Sequence, residues 1–399
     1  MDATRRERLT LALAVWGVLL SQVFLYPGVS DLVTALGGDG DLSGGMWFLV
    51  AEFAAFVAFA SLWGALSDTL GRRVPLIALG ALGGAASYLV LAALPGLGLP
   101  FAVVLLVRLF GGAMTIGAFS LSITMLADLS GGNGRNMGAA GIAIGLGAAL
   151  GSVIGGRLST ADPLAPLYAS AAVLVGVAIV VATVSDRAPD STRLGIGAVL
   201  RKLASRPAFS VPYAFGFIDR MTAGFFALVG VYYFRDTFGV DAATAGGVLA
   251  LFFVPFALLQ YPLGALSDRI GRFIPVVAGS MLYGVAILAV GLAPGFELAA
   301  GLMVVVGIFG ALVAPATMAL VTDLAGPEER GAALGGFNVF GSLGFLAGFI
   351  IGGTVAQVVG YLPSFAVVGL AEVAIAIVAL RAVRRLDIQS GTQAAPSAD

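Results

Sequence analysis

The chain has 399 residues, of which 59% are hydrophobic and only 11% are charged, and its mean hydropathy is +1.02. Because soluble domains carry roughly 25% charged residues, this composition excludes an ordinary water-soluble fold. Histidine and cysteine are absent, which excludes imidazole or thiolate zinc sites, disulfides and His- or Cys-dependent nucleophilic catalysis. The net charge of −1 argues against a nucleic-acid partner. We therefore expect a protein that is not an enzyme and has no cofactor or metal site.

Twelve apolar stretches follow one another along the chain, separated by short segments with Gly, Pro or charged residues. At about 20 residues a crossing, twelve spans use roughly 240 residues and leave about 160 for loops and ends. Runs of this length are too long for barrel strands and indicate helices. The sequence therefore predicts an all-α polytopic membrane protein with twelve transmembrane helices.

The basic residues predict the orientation of these helices. If the twelve spans alternate in direction, all but four of the 21 Lys and Arg residues lie on one side; the exceptions are Arg108, Arg157, Arg220 and Arg235. The positive-inside rule then places both termini in the cytoplasm. We expect a multi-pass protein of a prokaryotic cytoplasmic (inner) membrane.

One longer hydrophilic connection divides the chain into six plus six spans. The predicted domains are an N-terminal six-helix bundle (1–185), a cytoplasmic linker (186–208), a C-terminal six-helix bundle (209–385) and a disordered cytoplasmic tail (386–399). The linker is either a solvated connection or a short amphipathic helix on the membrane surface.

Three motifs occur twice, in the same order and at nearly equal separations. GALSDTLGRR at 64–73 recurs as GALSDRIGRF at 264–273, and the segment 128–135 matches 323–330. The third pair consists of glycines, namely Gly147, Gly151, Gly155 and Gly156, matched by Gly344, Gly348, Gly352 and Gly353. Such registered matches indicate duplication of a six-helix unit, which is one known transporter plan.

With both copies of Gly-x-Leu-Ser-Asp-x-x-Gly-Arg present, the chain resembles the major facilitator superfamily of the twelve-helix, drug:proton antiporter-like type over essentially its whole length. The resemblance implies two pseudo-symmetric six-helix bundles around a central cavity that opens alternately to either side. It also implies a cytoplasmic gating role for the motif residues, the alternative being a loop turn with a basic anchor. These residues are Gly64, Asp68, Gly71, Arg72 and Arg135 in the first repeat and Asp268, Gly271, Arg272 and Arg330 in the second.

Two further motifs match the family in part. The glycines at 147–156 resemble its antiporter motif, with Ser152 in place of a proline, but close helix packing explains them equally well. Arg108 lies in the middle of the fourth span, and Arg108 with Gly112 matches the core of another motif, although Met114 replaces the next glycine. A charge at this depth should face a cavity or a carboxylate. The resemblance implies a part in proton coupling; a structural ion pair is the alternative.

Few carboxylates lie within the spans, and one of them would have to carry a coupling proton. Asp219 and Glu52 are the first candidates and Glu372 is the third, while Asp219 could instead serve only to neutralise Arg220. Aromatic and uncharged polar residues predict an apolar solute cavity, although many aromatics of any bundle face lipid. The cavity candidates are Gln22, Tyr26, Phe225, Phe256, Gln260 and Asn338.

These features predict a secondary active transporter that works by alternating access and exports small lipophilic compounds in exchange for protons. It would act as a monomer in the lipid bilayer, with a small-molecule solute and a proton or sodium ion as partners. The sequence has no phosphate-binding loop, so a gradient would supply the energy. Two alternatives remain open, namely proton- or sodium-coupled uptake of a metabolite and a lipid-handling protein of the same fold.

Overall fold

A computed structural model describes residues 3–130, 133–186, 207–325 and 330–394, without the side chains of residues 3, 133–135, 330–332 and 385–394. These residues are almost entirely helical and contain no strand. In chain order the helices are α1 Ala3–Val23, α2 Val29–Ala35, α3 Leu42–Leu70, α4 Val74–Ala93, α5 Phe101–Asp128, α6 Asn133–Ala161, α7 Ala165–Val181, α8 Pro207–Phe238, α9 Ala242–Ile270, α10 Ile274–Gly291, α11 Phe296–Leu324, α12 Arg330–Ala347 with its continuation through Gly348–Gly352 and Gly353–Val358, and α13 Tyr361–Ala394.

Ten helices of the described chain are long and apolar enough to cross a membrane, namely all except α1, α2 and α7. The first helix, α1, and the shorter apolar helix α7 bring the number to twelve, which confirms the predicted fold class. The short helix α2 was not predicted. Most of the predicted linker lies outside the described residues, and α13 continues past residue 385, where the sequence predicts a tail.

The chain divides into two compact units. Unit 1 contains the described residues of Met1–Arg193 together with Ala227–Ala257, and unit 2 contains those of Leu194–Phe226 and Leu258–Asp399. Part of α8 and part of α9 therefore belong to unit 1. The predicted bundles follow the sequence repeat, whereas these units follow contacts, so the predicted domain boundaries stay a prediction.

Glycines bring the backbones of neighbouring helices together within each unit. In unit 1, a Cβ on Gly151 or Gly155 of α6 would lie less than 3.0 Å from atoms of Val23 and Phe24, at the end of α1. In unit 2, a Cβ on Gly344 would likewise overlap the carbonyl oxygen of Phe217. The glycine run is thus a helix-packing surface in both repeats, while a role in antiport stays a prediction.

Aliphatic and aromatic residues fill the core of unit 2. Phe215 of α8 meets Val276 of α10, Leu320 of α11 and Ala376 of α13, and all of them are fully buried. This core fixes the rotation of α8, α10 and α13 about their axes. It therefore decides which of their polar side chains face one another.

The packing of α6 on α1 gives a first test. We expect Gly155→Ala to lower the free energy of unfolding by about 1–3 kcal/mol, because the added methyl group overpacks the contact with α1. Gly176→Ala in α7 is the matched control, since a Cβ there meets no atom within 4 Å. Thermal unfolding of both variants in detergent checks this, and equal midpoints would contradict the close packing.

Candidate functional site

Arg73 organises one end of unit 1. After α3 ends, Gly71 adopts a left-handed conformation with φ of 61°, and the chain turns so that the Arg73 side chain becomes fully buried. Its Nη1 contacts Asp128 Oδ2 at the end of α5, and its Nη2 lies 3.6 Å from Asp68 Oδ1. The backbone N–H of Arg73 also donates to Asp186 Oδ1 at 2.9 Å. We call Asp68, Arg73, Asp128 and Asp186 the first arginine cluster.

Arg72 is the predicted cation of this motif, whereas the arginine that contacts its carboxylates is Arg73; the gating role of the motif residues stays a prediction. Arg72 is exposed, and the side chain of Arg135 lies outside the described residues. Gly64 has no atom within 4 Å of an added Cβ, so its backbone is not crowded. Two adjacent arginines look alike in sequence, and only the turn at Gly71 decides which of them points inward.

The second repeat builds an equivalent cluster with a different register. Arg272 Nη1 lies 2.5 Å from Asp268 Oδ1, and Nε donates to Asp323 Oδ2 at 3.0 Å. Nη1 also donates to Ser267 Oγ at 2.7 Å, and Gly271 supplies the left-handed turn with φ of 84°. We call Ser267, Asp268, Arg272 and Asp323 the second arginine cluster.

The arginine that contacts the carboxylates is the second residue after the turn glycine in the first repeat, where it is Arg73. In the second repeat it is the first residue after that glycine, Arg272. The position that matches Arg73 is Phe273, so the two copies of the motif are not superimposable residue by residue. The side chain of Arg330, which the sequence analysis also named, lies outside the described residues.

A buried ion pair lies between α3 and α5 in unit 1. Arg108 Nη2 contacts Glu52 Oε2, and the two side chains are each 1% exposed. Glu52 Oε1 and Arg108 Nε have no hydrogen-bond partner in the part of the chain that the structure describes. The pair is therefore only partly satisfied, which is costly at this depth and typical of a functional group.

The surroundings of this pair hold both helices close together. The guanidinium carbon of Arg108 lies 4.7 Å from the centre of the Phe48 ring and 5.4 Å from that of Tyr88, which stabilises the cation. A Cβ on Gly112 would lie within 3.0 Å of the Glu52 backbone. Gly112, one turn after Arg108, therefore lets α5 approach α3 closely enough for the two charges to meet.

A second set of buried polar groups lies between α8, α10 and α13 in unit 2. Asp219 is 5% exposed and Glu372 is fully buried. Thr222 Oγ1 donates to Glu372 Oε1 at 3.1 Å. Arg220 interacts with Asp219 electrostatically, but its side chain runs beside Gly341 of α12. We call Asp219, Thr222, Ser280 and Glu372 the carboxyl cluster.

The predicted cavity residues divide between the two units. In unit 1, Gln22 and Tyr26 are buried, and Tyr26 interacts electrostatically with the Glu52–Arg108 pair. In unit 2, the Phe225 ring packs edge-on against Phe365 with centroids 4.9 Å apart. Phe256 of unit 1 and Gln260 of unit 2 are half-buried, and Asn338 of unit 2 is exposed. These residues do not form one site within either unit, so their role in a cavity stays a prediction.

Sequence reasoning missed the contacts of Arg235. Within unit 1, Arg235 Nη2 donates to Asp31 Oδ1 at 3.0 Å, and Tyr232 Oη donates to the Asp41 carbonyl at 2.9 Å. The Ala243 N–H donates to Thr160 Oγ1 at 3.1 Å. These contacts join residues of the second sequence repeat to the first. Arg235 is one of the four arginines that do not lie on the predicted cytoplasmic side. This exceptional position was the feature of the sequence that could have indicated a carboxylate partner.

Twelve apolar helices built on a duplicated charged motif, with partly satisfied charges buried inside them, define a multi-pass membrane protein of the transporter class. The model of the Major Facilitator Superfamily matches residues 11–235 and 213–397. The chain belongs to this superfamily, and its relatives are transporters of various solutes.

Two curated relatives from different organisms match parts of this chain. An uncharacterized MFS-type transporter of Methanocaldococcus jannaschii is 31% identical over 164 residues, which are 39% of this chain and 42% of the relative. Multidrug resistance protein 1 of Bacillus subtilis is 31% identical over 125 residues, which are 31% of this chain and 32% of that protein. The chain thus spans less than half the length of the curated relatives it matches.

Solved structures match over nearly the whole chain. A bacterial homologue of the human lysosomal transporter Spinster has a TM-score of 0.75 at 15% identity and covers 98% of both chains. A D-xylose-proton symporter has a TM-score of 0.73 at 16% identity, with 94% of this chain and 96% of that chain covered. At these identities the likeness shows the fold alone.

The first arginine cluster gives a second test. We expect Arg73→Gln to lower the free energy of unfolding by roughly 2 kcal/mol, because hydrogen bonds to charged groups are lost and a carboxylate is left unpaired. Arg72→Gln, one residue earlier and exposed, should change it by less than about 0.5 kcal/mol. Unfolding in mixed detergent and SDS measures both, and a larger effect at Arg72 would contradict the cluster.

Proposed function

We propose that this protein is a proton-coupled exporter of small lipophilic compounds that works by alternating access in a prokaryotic cytoplasmic membrane, with both termini in the cytoplasm. The observation that carries the proposal is the Glu52–Arg108 pair. It is a carboxylate and a cation in direct contact, almost completely removed from solvent, with one atom of each left unsatisfied.

A proton changes this pair between two arrangements. When Glu52 is ionised, the pair is neutral and stays closed, because separating two opposite charges in a low-dielectric interior is costly. When Glu52 takes up a proton, the attraction is lost, and Arg108 can move away from the carboxyl group while the rings of Phe48 and Tyr88, which it already contacts, still stabilise its charge. The proton taken up from one side would be released to the other after the cavity changes sides.

Alternation requires contacts that exist in only one end state, because an equilibrium shifts only by the difference in free energy between its states. The Asp31–Arg235 contact and the two arginine clusters are suited to this, since each is a charged contact that can break and re-form. Their arginines belong to the side on which most cations of the chain lie, except for Arg235 at the other side. We propose that the Asp31–Arg235 contact opens in one half of the transport cycle and the two arginine clusters open in the other half.

The lipophilic character of the solute is supported by residues and by relatives. Buried aromatic side chains such as Tyr26 and Phe225 suit an apolar solute, and the likeness to Multidrug resistance protein 1 extends over 125 residues. Uptake of a metabolite by symport would use the same fold. Proton-coupled export and metabolite symport are distinguished by the direction of the pH gradient that drives accumulation of the solute.

The third test follows solute transport in proteoliposomes. A panel of lipophilic fluorescent dyes, with ethidium as the first probe, is added outside vesicles that are acidic inside. We expect exchange for protons to accumulate dye, and Glu52→Gln to lower accumulation by about tenfold at a gradient of one pH unit, which is the contribution of one proton. Downhill dye exchange without a gradient should continue, because Gln mimics the protonated carboxyl.

Two controls make this test specific. Asp39→Asn changes an exposed carboxylate of the same unit and should leave accumulation unchanged. The double variant Glu52→Gln/Arg108→Gln removes both charges and would restore accumulation if the pair were only structural. Restored accumulation in the double variant, or undiminished accumulation in Glu52→Gln, would refute the coupling role. Accumulation only when the pH gradient is reversed would indicate symport.

A further inference from the structure

The carboxyl cluster of unit 2 holds two acids in one buried polar site. Asp219 on α8 and Glu372 on α13 interact electrostatically with each other, and both are at least nine-tenths buried. Asp219 Oδ1 and Glu372 Oε2 have no hydrogen-bond partner among the residues that the structure describes. Each acid therefore keeps one oxygen that accepts no hydrogen bond from the described residues.

A third unsatisfied group points to the same place from α10. The Ser280 hydroxyl is fully buried and has no hydrogen-bond partner in the described part of the chain. Gly284 follows Ser280 by one helical turn on the same face, and a Cβ there would lie 3.0 Å from Glu372 Cβ. The Ser280 hydroxyl acts on Glu372 as a side-chain hydrogen-bonding group, although its geometry falls short of a complete hydrogen bond. The hydroxyl is thus aimed at the two acids and not at lipid.

No described cation acts on Glu372 in the way that Arg108 neutralises Glu52. Arg220 acts electrostatically on Asp219, the other acid of the site. The groups that act on Glu372 are Asp219, Thr222 and Ser280, and Arg220 lies beside α12.

The elements packed around the site add no further charge. Tyr283 of α10 is buried and interacts with both acids. On α11, the Thr317 hydroxyl donates within its own helix. The sequence of α12 from 333 to 358 contains no titratable residue.

Two carboxylates in such surroundings cannot both remain ionised. An isolated buried carboxylate loses far more solvation free energy than the protein interior returns, and such a group takes up a proton instead. Two acids that share one site bind a proton between them for the additional reason that like charges repel. The unsatisfied oxygens and the hydroxyl of Ser280 can accommodate a proton and its hydrogen bonds.

We propose that Asp219 and Glu372 share an exchangeable proton, which makes the carboxyl cluster a second proton-binding site, separate from Glu52 and located in the other unit. A role for this proton in transport rests on the proposed function, and it would raise the number of protons exchanged for each solute from one to two. The binding of the proton itself does not depend on transport.

Infrared difference spectroscopy of the purified protein in detergent tests the site without any solute. We expect a carbonyl band of protonated carboxylic acid near neutral pH, with the shift in deuterated buffer that an exchangeable proton gives. The double variant Asp219→Asn/Glu372→Gln should lose this band. Each single variant should change the pH at which the remaining band reaches half of its full intensity, because a shared proton depends on both acids.

Three further variants complete the experiment. Glu297→Gln, an exposed acid of the same unit, should leave the band unchanged. Glu52→Gln should leave in place the part of the band that the double variant removes, which separates this proposal from the preceding one. Ser280→Ala retains both acids and should shift the band position, because it removes a hydroxyl that can form a hydrogen bond with the protonated acid. It keeps the proposal testable if the double variant does not fold, as judged by gel filtration and circular dichroism.

Transport provides the second readout. The slope of the logarithm of dye accumulation against the pH difference should fall by half in the double variant relative to the parent protein. Absence of the band in the parent protein, its persistence in the double variant, or its removal by sodium chloride at constant pH would overturn the shared-proton site. The last result would assign the site to sodium. A retained band with an unchanged slope would remove only the role in transport.

Discussion

The structure depends on the high cost of burying an unpaired charge among apolar helices. Arg108 and Arg73 are among the largest fully buried side chains of the described residues, and each is in contact with a carboxylate from another helix. A charge can occupy such a position only if neighbouring helices bring its partner within reach. Gly112 allows this for Arg108, because a larger residue would separate α5 from the backbone of Glu52. Backbone packing and charge pairing are therefore one and the same constraint.

The two sequence repeats have met this constraint in different ways. Alignment of the duplicated motifs places Phe252 opposite Glu52 and Met303 opposite Arg108, so the second repeat has no equivalent of the ion pair. It has instead the two acids of the carboxyl cluster, on α8 and α13. The arginine clusters differ as well, since Arg73 acts in one and Arg272 in the other. Duplication preserved the helices and the turns, while the buried charges diverged.

Composition and repeats were sufficient to predict the fold, because twelve apolar runs allow few other arrangements. The ionisable residues of the buried pair and of the carboxyl cluster, namely Glu52, Arg108, Asp219 and Glu372, were also named from the sequence as intramembrane charges. What the sequence could not show was which of them meet. Pairing depends on the rotation of each helix about its axis, which is set by contacts such as those of Gly112 and Phe215. The Asp31–Arg235 contact was missed because it depends on this packing, and the choice of Arg73 over Arg72 because it depends on the turn at Gly71.

The central claim is that Glu52 exchanges a proton in step with the solute, and proton release on solute binding measures it most directly. Purified protein in weakly buffered detergent solution is mixed with ethidium, or with whichever dye of the panel is accumulated, while an indicator dye records the pH. We expect Glu52→Gln to release one proton fewer for each dye bound than the parent protein, and Asp39→Asn to release the same number as the parent. An equal number of protons from Glu52→Gln and the parent would contradict the account.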